Sequence, residues 1–135
     1  MATYTADAVA LLVYLVDALP RGADRAFAEA EAGETVIQAP ATVLAEVLYS
    51  VSRDKDLCGV TLTGTPAAAR RALVADGPVS LTPVGDEELA ELAGIVHEFS
   101  IHDAFVVASH RARGTDAIIT TDGAVRGAGV ETVWE

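Results

Sequence analysis

A chain of 135 residues, 51% of them hydrophobic, suffices for one domain with a sizeable core and is too apolar for disorder. Its 20 acidic against 9 basic residues give a formal net charge of −11, which excludes the broad basic footprint of most nucleic-acid binders. The lone cysteine, Cys58, excludes an internal disulfide, and the apolar run from Ala8 to Val16 is too short to span a membrane.

No basic stretch precedes that run, so it does not read as a signal peptide, and a cytoplasmic protein is expected. Lys55 is the only lysine. High negative charge with so little lysine reads as adaptation to a salty cytoplasm, against the plainer reading of an ordinary acidic protein. Any RNA contact would rest on local arginines such as Arg53, Arg70, Arg71, Arg111, Arg113 and Arg126, on bound metal and on salt.

In chain order, Ala2 to Ala6 reads as a short strand and Ala8 to Leu19 as an apolar helix. Pro20 opens a more polar helix that stops at Gly33 in C-cap position. Thr35 to Ala39 is a second strand, and Pro40 opens a helix to about Ser52. Arg53 to Gly64 carries no clear pattern. Thr65 then caps a helix with Pro66 at its first position, running to about Asp76. Pro78 to Val84 is a third strand, and Asp86 to Phe99 a helix with acids in its first turn, as the helix dipole favours. Ser100 starts a helix that stops at Gly114. Ala117 to Thr120 and Val130 to Trp134 are the last strands. Strands alternate with helices, so one α/β domain over residues 1–135, built on a parallel sheet covered on both faces, is the economical architecture.

In open α/β sheets, sites form at the carboxyl ends of strands. Asp7 and Asp122 both follow strands there, although Asp7 also suits a helix N-cap and Asp122-Gly123 a turn. Glu46 shares a helical face with Thr42, Tyr49, Ser50 and Arg53, which fits either a solvated face or the rim of a cleft. Asp103 has Val106 and Val107 as its later helical neighbours, where an acid is costly unless paired, coordinated or capping. Ser100 and Asp103 also have capping-box-like spacing. Acids gathered into one place repel one another, and hard oxygen ligands suit Mg²⁺ or Mn²⁺, ions that suit phosphoryl chemistry.

Taken in order, Asp7-Ala8-Val9, Thr42-Val43-Leu44-Ala45-Glu46-Val47, His102-Asp103-Ala104-Phe105-Val106-Val107-Ala108 and Ile118-Ile119-Thr120-Thr121-Asp122 resemble the PIN-domain family, most closely its VapC-type toxins. The resemblance covers nearly the whole chain. It implies a three-layer α/β/α sandwich around a central, mainly parallel sheet of four or five strands. It further implies a metal-dependent endoribonuclease, the toxin of a type II toxin–antitoxin pair. Asp7, Glu46, Asp103 and Asp122 would hold one or two Mg²⁺ or Mn²⁺ ions for phosphodiester hydrolysis, and Thr120 would orient a ligand. RNA as substrate, a small antitoxin as partner and a homodimer are implied as well. The chain departs from the family at Val9, where Ser or Asn is frequent, and after Asp122, where an aromatic is often found.

Two other classes compete. A non-catalytic interaction module of the same fold would use its apolar helices for a partner. A phosphatase of one major class needs a second Asp where Val9 stands, and a receiver domain needs an acidic pair and a late Lys that are absent. His97, His102 and His110 read as surface histidines rather than a transition-metal site, and Cys58 as a small residue at least partly buried.

Overall fold

The computed structural model describes residues 1–135. Strand β1 (Ala2–Ala6) leads into helix α1 (Ala8–Leu15), then α2 (Arg21–Glu31), β2 (Thr35–Pro40) and α3 (Ala41–Ser52). A small hairpin follows, β3 (Asp56–Leu57) and β4 (Val60–Thr61), and then α4 (Pro66–Arg70), which widens into a π-helical turn over Arg71–Ala75. The chain continues through β5 (Val79–Thr82), α5 (Asp86–Ile95), α6 (Ile101–Arg113), β6 (Ala117–Ile119), α7 (Gly123–Gly127) and β7 (Thr132–Val133).

Five strands form one sheet in the order β5-β2-β1-β6-β7, and every neighbouring pair is parallel. Parallel strands need crossovers, and the alternating apolar helices supply them. Ala117, Ile118 and Ile119 are all buried, so both faces of β6 are covered, as expected for a parallel sheet between helical layers. Leu11, Phe27, Ile37, Leu73, Ile118 and Ile119 are among the largest fully buried side chains. No helix is long and apolar enough to cross a membrane.

The strand order decides where chemistry can sit. The chain moves outward from β1 to β2 and β5, then returns to the other side of β1 as β6 and β7. Connections therefore diverge between β1 and β6, which opens a crevice beyond their carboxyl ends.

Local signals account for most boundaries. Asp7 caps α1 by accepting from the Ala10 N–H at 2.8 Å, and Ser100 caps α6 by accepting from the Asp103 N–H at 3.3 Å. Gly114, at φ +64°, ends α6 in the left-handed conformation that glycine adopts without cost. Thr65 caps α4, with Pro66 at the first position.

Five expectations change. Helix α1 ends at Leu15 rather than Leu19, because the chain turns at Asp17, which sits at φ +54°. Helix α5 ends at Ile95, short of Phe99. The unpatterned segment after Arg53 holds the β3–β4 hairpin, and Asp122 opens the unforeseen α7. Cys58 is exposed, not buried: it and Gly59, at φ +52° and +77°, form a two-residue turn of the type I′ kind, which places both at the hairpin tip.

Candidate active site

Three carboxylates arrive at the crevice from three separate segments. Asp7 leaves the end of β1, Asp122 follows β6, and Asp103 lies in the first turn of α6. Glu46 joins them from the middle of α3. All four line one cleft of about 130 Å³, with Ala8, Val9, His102, Val106 and Thr121 completing its wall. A larger groove of about 300 Å³, near Leu15, Val51, Leu62 and Ala69, contains no titratable side chain and so offers no acid, base or ligand.

Asp7 is the innermost group, 8% exposed. One carboxylate oxygen accepts from Ala10 N–H and the other from the Thr120 hydroxyl. Thr120 is itself buried and also accepts from the Asp122 N–H at 3.0 Å. Asp7 N–H donates to Ile119 C=O at 3.2 Å. Thr120 thus ties the ends of β1 and β6 together and fixes the orientation of Asp7. Burial pushes the Asp7 carboxyl up to about 6. The Thr120 and Ala10 hydrogen bonds oppose that rise, while Asp103 and Asp122 add to it by repulsion.

Asp103 is half-buried, and its carboxyl is also raised, first by desolvation and then by Asp122. Ser100 and His102 act in the opposite direction. Asp103 therefore faces another acid while its backbone takes the Ser100 cap, so the capping and cleft readings are both realised. Asp122 accepts from the N–H groups of Ala124 and Val125, at 2.8 and 3.1 Å, as the N-cap of α7.

Glu46 turns toward His102, whose Nδ1 lies 3.2 Å from its Oε1. His102 is 66% exposed, yet it forms part of the cleft rather than a detached surface site. Sequence reading missed this partnership; the available signal was its position immediately before Asp103. His97 is exposed. His110 departs from the surface reading: it is half-buried, with Nδ1 2.7 Å from Thr115 Oγ1, which lies 2.9 Å from Thr5 Oγ1. Burial lowers the His110 pKa first, and Arg111 lowers it further.

The cleft offers carboxylate oxygens and no thiolate, a donor set that fits a hard divalent cation such as Mg²⁺ or Mn²⁺. The buried Asp7, raised first by desolvation and then by its acidic neighbours, and without a cationic partner of its own, is the observation that favours such an ion. No three His, Cys, Asp or Glu side chains are drawn close enough together to hold one ion as they stand. The hydrogen bonds explain why: Asp7 is engaged by Thr120 and Ala10, Asp122 by its cap, and Glu46 by His102.

Solved structures share this fold. VapBC2 from Rickettsia felis, bound to a DNA fragment from their promoter, matches with a TM-score of 0.72 at 12% identity, over 98% of this chain and 99% of that one. VapC20 from Mycobacterium tuberculosis, a toxin that cleaves the sarcin–ricin loop, matches with a TM-score of 0.69 at 23% identity, over 98% and 99%. The expected PIN-like α/β architecture, with its five-stranded parallel sheet, is the fold observed. The sequence matches no family model and no curated protein.

Proposed function

We propose that this chain is a metal-dependent endoribonuclease and the toxin of a toxin–antitoxin pair. The observation that carries the reading is the convergence of Asp7, Glu46, Asp103 and Asp122 on one cleft at the switch between β1 and β6. The fold shared with the two VapC-containing structures supports it.

In this reading the four carboxylates hold Mg²⁺ or Mn²⁺, which supplies Lewis-acid charge and makes water a competent nucleophile near neutral pH. Thr120 holds Asp7 in a fixed orientation from behind, a fixed point toward which the other acids would draw in when a cation arrives. The N-termini of α1 and α6 direct partial positive charge toward the acids and reduce the cost of gathering them. The partner proposed is a small antitoxin that offers Arg or Lys to the acids. A cytoplasmic homodimer completes the proposal.

The purified protein should be incubated with total cellular RNA in Mn²⁺ and high potassium chloride beside Asp103→Asn. Cleavage that needs metal and is lost in the variant is expected. Neither cleavage nor Mn²⁺-dependent thermal stabilisation would transfer the assignment to an interaction module, a reading that the exposed Val9 at the cleft wall otherwise favours.

A further inference from the structure

Tyr49 is an aromatic side chain with no role in the core. Of the three tyrosines, Tyr14 stacks on Phe27 with ring centroids 4.6 Å apart, and Tyr4 packs against the core. Tyr49 is 61% exposed and does neither. The Arg53 guanidinium lies over its ring, 4.9 Å from the centroid, within the range of a cation–π contact. Arg53 also has no carboxylate partner: the ion pairs of this acidic chain are Glu46–His102 and Glu88–Arg113. A free guanidinium held on an exposed ring, in a molecule of net charge −11, marks a place where negative charge and a flat apolar surface can be received together.

The placement identifies the ligand. Glu46, Tyr49 and Arg53 fall on one face of α3 at spacings of three and four residues, so the pair begins about one turn, roughly 5 Å, beyond Glu46. Side chains on a helix lean toward its N-terminus, which here means toward the acid cleft. A polyanion reaching that cleft needs local attraction that the cleft's own acids cannot give.

Resting on the ribonuclease reading of the cleft, we propose that Tyr49 and Arg53 form a stacking subsite for an unpaired RNA segment that leads into it. A base stacks on the open face of Tyr49, and Arg53 contacts the adjoining phosphate. Stacking of this kind accepts any base, because every base has a π-face.

The test measures binding of a fluorescein-labelled, mixed-sequence, unpaired 12-nucleotide RNA by anisotropy in Ca²⁺, with a gel confirming that the RNA stays intact. Tyr49→Ala should weaken binding roughly 5- to 100-fold, whereas Tyr49→Trp should bind like the parent chain. Arg53→Gln should reduce the slope of log Kd against log salt by about 0.7, the loss of one phosphate contact on a single strand. Tyr49 is exposed, so unchanged melting temperatures should accompany these effects. Binding by Tyr49→Ala equal to the parent overturns the subsite, whether or not the cleft cuts RNA. So does absence of RNA binding by the parent, or a Tyr49→Ala effect seen only on a protein partner. Tyr49-dependent binding with neither metal-dependent cleavage nor Mn²⁺-dependent thermal stabilisation would uphold the subsite and sink the nuclease reading instead.

Discussion

Asp7 and Glu88 are the two buried acids of this domain, 8% and 2% exposed, and the fold treats them in opposite ways. Burial raises both, but only Asp7 ends up raised, to about 6. At Glu88 the desolvation is outweighed by backbone N–H groups, including Gly85 at 3.0 Å, and by the Arg113 guanidinium 2.6 Å from Oε1. Glu88 reaches back to accept from the Gly85 N–H at the start of α5 and ties that helix to the end of α6. Its charge is compensated within the chain. Asp7 has hydrogen bonds but no cation, and two more acids face it. The compensated acid fastens two helices together; the uncompensated one is left for something outside the chain to neutralise.

Removing the uncompensated charge gives the largest effect. Asp7→Asn should lower metal-dependent RNA cleavage roughly 100- to 1,000-fold, the scale of losing one fixed electrostatic group at a reacting centre. The same variant should stabilise the metal-free protein at pH 7.5. Asp7 binds its proton more tightly folded than unfolded, where its pKa is near the ordinary 3.8, so the folded state holds more protons between about pH 4 and 6. Metal-free stability therefore falls as pH rises through that window, by up to about 3 kcal/mol from this group. Thermal melts from pH 4 to 7.5 in EDTA should show the fall for the parent chain and its absence in Asp7→Asn. A parent curve flat across that window would remove the claim that Asp7 is uncompensated.

Glu88 gives the opposite slope. Its carboxyl is held below the ordinary 4.5, so its contribution is present at neutral pH and is lost only as pH falls through that depressed value. Glu88→Gln should cost about 2 kcal/mol in urea unfolding, between the values for exposed and fully buried pairs because Arg113 remains 31% exposed. Cleavage per folded molecule should be unchanged. An equal loss of activity would mean that the two acids are not separate in function.

This contrast shows what the sequence could reveal. Alternation of strands and helices, the caps at Asp7, Thr65 and Ser100, and the stop at Gly114 are local effects, and residue order alone exposes them. Asp7, Glu46, Asp103 and Asp122 could be nominated because strand ends and an acid among valines are local facts too. Their convergence depends on the return of the chain to the far side of β1, a choice made by long-range packing. Glu88 looked like one of three acids in a helix's first turn; its burial depends on Arg113, 25 residues later, and no spacing rule connects them. The hairpin tip was hidden because Cys58 is an unusual residue for a left-handed position.

His102 offers the finest test of the contrast, because it is the one basic side chain lining the acid cleft and it touches Glu46, not Asp7. Glu46 is 34% exposed and has three rotatable bonds, so without a partner it samples many orientations. The Nδ1 contact at 3.2 Å restricts it to the side of α3 that faces the cleft. Groups that orient a metal ligand from outside affect affinity by roughly 10- to 100-fold, and the exposure of His102 places it at the low end. His102→Ala should raise the Mn²⁺ dissociation constant about 10-fold, read from the metal dependence of the melting temperature without any RNA present. His102→Asn, which can still donate to Glu46, should recover most of that loss. Equal losses in both variants would show that the imidazole acts by its charge or bulk, and that Glu46 needs no external hold.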